Sequence, residues 1–165
     1  MHAFEADWSN FLLAAAGAAA ALSGLLFVAV SLRPRAIRES PLMVGRARAA
    51  FYALVTVLLV SLAALVPRHP VLVGVSELAV AFGVLALSST FTRRAVRSGR
   101  LNSRRAVVYH LGLAMVVVAG FLQATSAAWS DTTTLLAGGL LLLMGIGVSN
   151  SWQLVLSHDS GEQVS

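Results

Sequence analysis

Residues 11–32 read FLLAAAGAAAALSGLLFVAVSL, a run without a single charged side chain. An α-helix rises about 1.5 Å per residue, so a run of this length crosses the roughly 30 Å of hydrocarbon in a bilayer. It does not have the pattern of a cleaved signal peptide, because acidic Glu5 and Asp7 precede it where a basic region belongs. We therefore predict that it is a retained transmembrane helix.

Four further runs have the same character, at residues 47–66, 71–92, 106–128 and 135–156. Continuously apolar runs predict helices, because the strands of a membrane barrel alternate over about ten residues. Of the whole chain 58% is hydrophobic and 12% is charged, whereas about a quarter of the residues in soluble domains are charged. The predicted fold is an all-α membrane bundle of five transmembrane helices, forming one domain over residues 1–165 with a short cytoplasmic tail at 157–165.

The distribution of arginine predicts the orientation of this bundle. All twelve basic residues are arginine, and eleven of them fall in the two segments 33–48 and 93–105. Because cytoplasmic loops are enriched in basic residues, both segments are predicted to be cytoplasmic, with the N-terminus outside and the C-terminus inside. The same segments offer candidates for binding anionic lipid, namely Arg35, Arg38, Arg94 and Arg97. Topology alone also explains these charges, and no nucleic acid partner is expected.

A weak internal repeat appears when the chain is shifted by 59 residues, so that residues 24–47 align with 83–106. One interpretation is a parallel duplication of a helical hairpin, with a fifth helix added. The alternative is that apolar helices followed by arginine-rich loops align easily.

Small or polar residues recur at a spacing of seven along the first run, at Asn10, Gly17, Gly24 and Ser31. In lipid, small side chains let helix backbones approach closely, and a seven-residue spacing favours a left-handed crossing. We call these four residues the α1 stripe, where α1 denotes the first helix, which contains residues 11–32. The stripe predicts close packing, either within one subunit or at the seam of a homo-oligomer.

Glu77 is the only acidic residue inside any predicted span, about 9 Å below the outer end of the third run. An ionised carboxylate in hydrocarbon costs several kcal/mol, so it is expected to face the interior of the bundle or to have a partner. Gln123 and Ser61 lie at similar depth, and the three residues form a candidate ion or proton site. The structural alternative is a hydrogen bond with Gln123 or an ion pair with Arg68.

A second polar layer is predicted at the cytoplasmic side, from His110, Asn150 and Gln153. His110 would then titrate near neutral pH and gate a path or sense cytoplasmic pH. In the alternative interpretation, a neighbouring side chain or interfacial water satisfies the imidazole.

Chemical motifs are missing from the sequence. It has no cysteine and no HExxH pair, GxSxG turn or glycine-rich phosphate loop. His2 and His69 do not form a metal site by themselves. We therefore expect neither an enzyme nor a bound cofactor or metal.

The stretch AGAAAALSGLLFVAVSL at 16–32, preceded by Trp8 and Phe11, resembles the opening of a group of small multi-spanning bacterial membrane proteins without assigned function. The resemblance implies residence in the bacterial inner membrane and a short helical bundle, and it assigns no site residue. Two classes of function remain open. One is an oligomeric channel or small transporter for an ion, proton or small solute. The other is a non-conducting accessory or scaffold protein that binds another membrane protein or anionic lipid.

Overall fold

A computed structural model describes residues 2–32, 37, 39–66, 70–97, 103–125 and 129–156. Within these residues the chain forms five helices and no strand. The helices are α1 (His2–Leu32), α2 (Pro41–Leu65), α3 (Pro70–Arg97), α4 (Ser103–Ala124) and α5 (Trp129–Leu156). The predicted all-α fold is confirmed.

Four of the helices contain described stretches that are long and apolar enough to cross a membrane: Ala6–Leu32, Pro41–Leu65, Val107–Ala124 and Thr132–Leu154. In α3 the described apolar stretch is the shorter Val73–Ala86. The helix itself has 28 residues, or about 42 Å at the usual rise, and part of its predicted span at 71–92 lies beyond the described side chains. By length and composition, this is the fold of a multi-pass helical membrane protein.

The start of α2 shows why a helix is longer than the apolar run that predicts it. Ser40 has an extended backbone, with φ −108° and ψ 104°, and its hydroxyl accepts a hydrogen bond from the Met43 amide at 3.4 Å. Pro41 follows at the first helical position, where its missing N–H removes no helical bond. The helix therefore begins six residues before the apolar run predicted at 47–66.

Helices α2, α3, α4 and α5 form a closed ring in which each helix packs on the next and α5 packs back on α2. Helix α1 lies outside this ring, mainly against α2 and to a smaller extent against α5. The two hairpins of the predicted repeat, α1–α2 and α3–α4, are each packed internally. Among the described residues, however, α3 also packs on α2, and no comparable packing joins α1 to α4.

Gly74 permits a close contact between α3 and α4 in the ring. A Cβ atom added to Gly74 on α3 would lie 2.5 Å from both the Gly120 carbonyl oxygen and the Ala124 backbone nitrogen on α4. Without a hydrophobic force between helices in lipid, such close backbone approach supplies the dispersion contact that holds them together. It also fixes the register, because the start of α3 lies beside the end of α4.

Candidate functional site

Buried polar side chains are concentrated at one end of the ring. Five of them share this end, and we call them the Glu77 layer: Ser61, Glu77, Gln123, Thr132 and Thr133. At about 1.5 Å per residue they lie within about 10 Å of the end of α2, the start of α3, the end of α4 or the start of α5. Every helix of the ring therefore contributes at least one polar side chain to the same end of the core.

Glu77 lies in the interior of the bundle. It is 0% exposed, and its Cβ lies 3.2 Å from the position that a Cβ on Gly120 would take. The stem of the side chain is thus held where α3 and α4 approach most closely. The expectation that this carboxyl group faces away from lipid agrees with its place in the described structure.

The hydrogen bonds expected at Glu77 are not formed. Neither carboxylate oxygen has a hydrogen-bond partner among the described residues, and the buried Ser61 hydroxyl also has none. The hydrogen bond with Gln123 that the structural alternative predicts is therefore absent from this structure. Arg68, the other predicted partner, lies outside the described residues.

Helix register explains why Gln123 misses Glu77. Glu77 packs beside Gly120, and Gln123 follows three residues later on α4, about 4.5 Å nearer the helix end. Gln123 is itself 5% exposed, so burial of both residues at similar depth did not imply a hydrogen bond between them. A buried polar group without a partner costs about 1–3 kcal/mol, and more when it is charged.

Thr132 and Thr133 belong to the Glu77 layer but were not predicted. They are 1% and 2% exposed on the first turns of α5. The predicted span began at residue 135 and left both threonines in a loop, whereas α5 begins at Trp129. The sequence feature that could have indicated these buried threonines is the run of three threonines at 132–134, directly before the apolar sequence.

The predicted inner layer is not assembled in the core. Asn150 is buried and Gln153 is half-buried, but His110 is exposed and its ring meets Tyr109 edge-on, with the centroids 5.5 Å apart. Successive helical residues point about 100° apart. Since Tyr109 takes the inward position at 8% exposed, His110 turns outward and does not join Asn150 in one buried layer.

All four residues of the α1 stripe are exposed. A Cβ added to Gly17 or Gly24 would meet no atom within 4 Å. The face of α1 that packs within the subunit carries other residues, among them Leu12, Ala15, Ala19 and Leu26. Within the described part of one subunit, the stripe is therefore not a packing surface.

The remaining predicted site is the set of four arginines proposed to bind anionic lipid. Arg35 and Arg38 lie outside the described residues, as do the side chains of Arg94 and Arg97. The described residues contain no group of three or more side chains suited to hold a metal ion.

Comparison of the chain with protein-family models, curated proteins and solved structures finds no match. The class of protein is therefore defined from the fold and the site alone. It is a small multi-pass helical membrane protein with a buried acidic residue in its core.

Proposed function

We propose that this protein moves protons across the membrane and that the Glu77 carboxyl group is the proton-binding site. The observation that carries the proposal is the complete burial of Glu77 without a hydrogen-bond partner among the described residues. A structural acid is retained for the bonds it makes, and this one makes none there. Ionisable residues inside a bilayer usually belong to ion pathways and proton relays.

The chemistry of the Glu77 layer favours a proton over a metal cation. A proton needs a single carboxyl oxygen, whereas a hard cation needs several oxygen ligands in its first coordination sphere. Glu77 is the only carboxylate in the Glu77 layer, and the described residues contain no group of three or more side chains suited to hold a metal ion. Hydroxyl groups in the same layer suit a proton path, because each can both donate and accept.

The proposed setting is the bacterial inner membrane, with the N-terminus outside and the C-terminus in the cytoplasm. The arginine-rich segments at 33–48 and 93–105 support this orientation. Their described parts, at 39–48, 93–97 and 103–105, lie at the end of the bundle opposite the Glu77 layer, because α2 begins, α3 ends and α4 begins there. The Glu77 layer would then lie near the outer surface.

Assembly into a homo-oligomer is part of the same proposal. The α1 stripe is exposed and offers space for a neighbouring backbone at Gly17 and Gly24. The same surface also supports the second candidate function, in which the protein does not conduct and the stripe binds a helix of another membrane protein. Flux measurements separate the two candidates.

The test is proton flux in liposomes that contain the purified protein and a trapped pH-sensitive dye. We expect the wild type to dissipate an imposed pH gradient when a potassium ionophore balances charge. The variant Glu77→Gln keeps nearly the same volume but removes the titrating group, so its flux should fall to that of protein-free liposomes. The matched control is Glu39→Gln, the same change at an exposed residue outside the predicted spans.

Equal flux in wild type and Glu77→Gln would exclude Glu77 as the proton site. A wild-type protein that is folded in the liposomes and shows no flux under either a pH gradient or a membrane potential would favour the accessory function instead.

A further inference from the structure

A second site lies at the opposite end of α2 from the Glu77 layer. An open groove of about 270 Å³ runs between α1 and α2 and is lined mainly by Leu26, Phe27, Val30, Ala47, Arg48 and Phe51. We call it the α1–α2 groove. Arg48 and Ser61 are separated by thirteen residues of α2, or about 20 Å along the helix, so the groove is separate from the proposed proton site.

The floor of the groove belongs to the packed core, and its walls do not. Leu26 is 4% exposed and belongs to a small buried cluster, against which Val30 and Ala47 pack. Phe27 is 72% exposed and Phe51 is 48% exposed. Two large aromatic rings thus project outward on either side of an apolar floor, and the bundle itself leaves them largely uncovered.

Polarity changes along the groove. Ala47 and Arg48 on α2 and Val30 on α1 lie toward the connection between the two helices, while Leu26 and Phe51 lie deeper. Among the described residues that line the groove, the exposed Arg48 is the only charged one, and a long arginine side chain extends its guanidinium toward the membrane surface. The groove is therefore positive at its shallow end and apolar at its deep end.

The size of the groove limits what it can hold. Pockets that enclose a drug-sized molecule have volumes of about 300–1,000 Å³, so an open groove of about 270 Å³ accommodates part of a flexible chain. An acyl chain has the required shape and can bend between Phe27 and Phe51. An anionic headgroup on the same molecule would lie at the level of Arg48, where its charge is complementary.

We infer that the α1–α2 groove binds one anionic phospholipid, with an acyl chain between Phe27 and Phe51 and the phosphate beside Arg48. This inference does not depend on the proposed proton transport. It places a lipid site at described residues other than the four arginines singled out from the sequence.

The experiment is native mass spectrometry of the purified protein, supplied with equal amounts of phosphatidylglycerol and phosphatidylcholine in detergent. We expect one retained lipid per subunit and a preference for phosphatidylglycerol. A basic residue near the surface favours anionic lipid by about 1 kcal/mol, which is about fivefold. Arg48→Ala should abolish most of that preference, and Ala47→Phe should fill the groove and remove both lipids.

Arg46→Ala is the matched control, because it removes the same charge two residues away, about 200° around α2, and outside the groove lining. It should behave as the wild type. Equal losses in Arg46→Ala and Arg48→Ala would show attraction by overall charge and overturn the site. Retention of lipid by a folded Ala47→Phe protein would also overturn it. Loss of a dimer in Ala47→Phe, with no lipid bound to the wild type, would show that a second copy of the chain covers the groove.

Discussion

Glu77 combines two properties that seldom occur together in a packed core: it is fully buried, and neither carboxylate oxygen has a hydrogen-bond partner among the described residues. The structural interpretation of this residue was a bond to Gln123 or an ion pair with Arg68; the bond to Gln123 is not formed, and Arg68 lies outside the described residues. Burial without compensation lowers stability. Among the described residues nothing offsets the cost of burying this carboxyl group.

This leads to a stability prediction for Glu77→Leu. Because leucine removes a buried polar group that has no partner among the described residues and keeps the site filled, we expect the free energy of unfolding in detergent to rise by about 1–3 kcal/mol. It would be measured by denaturant titration of the helical circular dichroism signal. Glu77→Gln keeps a buried polar amide and should give a smaller gain. A loss of stability in Glu77→Leu would mean that the carboxyl group has a structural partner.

The burial of Glu77 was predictable from its charge alone, because lipid excludes a carboxylate from the outer surface of the bundle. Its contacts were not predictable in the same way. The sequence places Gln123 and Ser61 at a depth in the membrane similar to that of Glu77. A hydrogen bond also depends on how each helix is rotated about its axis and on the register between neighbouring helices, and the sequence shows neither. His110 shows the same limit, since neighbouring Tyr109 takes the inward position on α4.

At the scale of the helices, the glycines on α3 divide into two kinds. A Cβ on Gly74 would collide with the backbone of α4, whereas a Cβ on Gly83 would meet nothing within 4 Å. The sequence presents both as small residues in one apolar run. Only packing distinguishes a glycine that permits close approach from a glycine that faces lipid.

We predict opposite effects from alanine at these two positions. Gly74→Ala should destabilise the bundle by about 1–3 kcal/mol, because rigid backbone atoms of α4 have to move apart. Gly83→Ala is the matched control on the same helix and should be neutral or stabilising by up to about 1 kcal/mol, because alanine favours helix. Thermal unfolding of both variants in the same detergent would measure the difference. Equal effects at the two sites would contradict the close contact between α3 and α4.

The α1 stripe carries a prediction about assembly. Replacing Gly17 and Gly24 together by leucine should prevent close approach between subunits and shift the mass measured by light scattering toward that of the monomer. The control replaces Gly83 and Gly145 by leucine, since both are exposed and have open space around the Cβ position. That control should keep the wild-type mass. An unchanged mass in the Gly17 and Gly24 variant would show that the α1 stripe does not form the contact between subunits.

At the scale of the whole molecule, composition and apolar length predicted an all-helical membrane bundle because lipid leaves a chain few ways to satisfy its backbone. Composition and apolar length did not predict which helices pack against one another. Five helices of similar hydropathy can be arranged in many ways, and the ring of α2 to α5 with α1 outside it depends on small contacts such as Gly74 against Gly120.

The orientation of the molecule can be tested with reporters fused after Ser40, Arg68, Arg100, Asp131 and Ser165. The arginine distribution predicts inside, outside, inside, outside and inside, in that order. Paired reporters that are active only in the cytoplasm or only outside would measure each position. A reporter after Ser165 that is active only outside would remove one crossing from the predicted five.

The ring has a consequence for how the protein is made. Its closing helix is α5, the last of the five in sequence, which packs on both α4 and α2. During synthesis, the core face that α2 and α4 present to α5 therefore stays open to lipid until residues 129–156 have been inserted. Chains interrupted before that point would leave Leu54 on α2 and Met115 on α4 without the α5 glycines that they contact in the completed molecule.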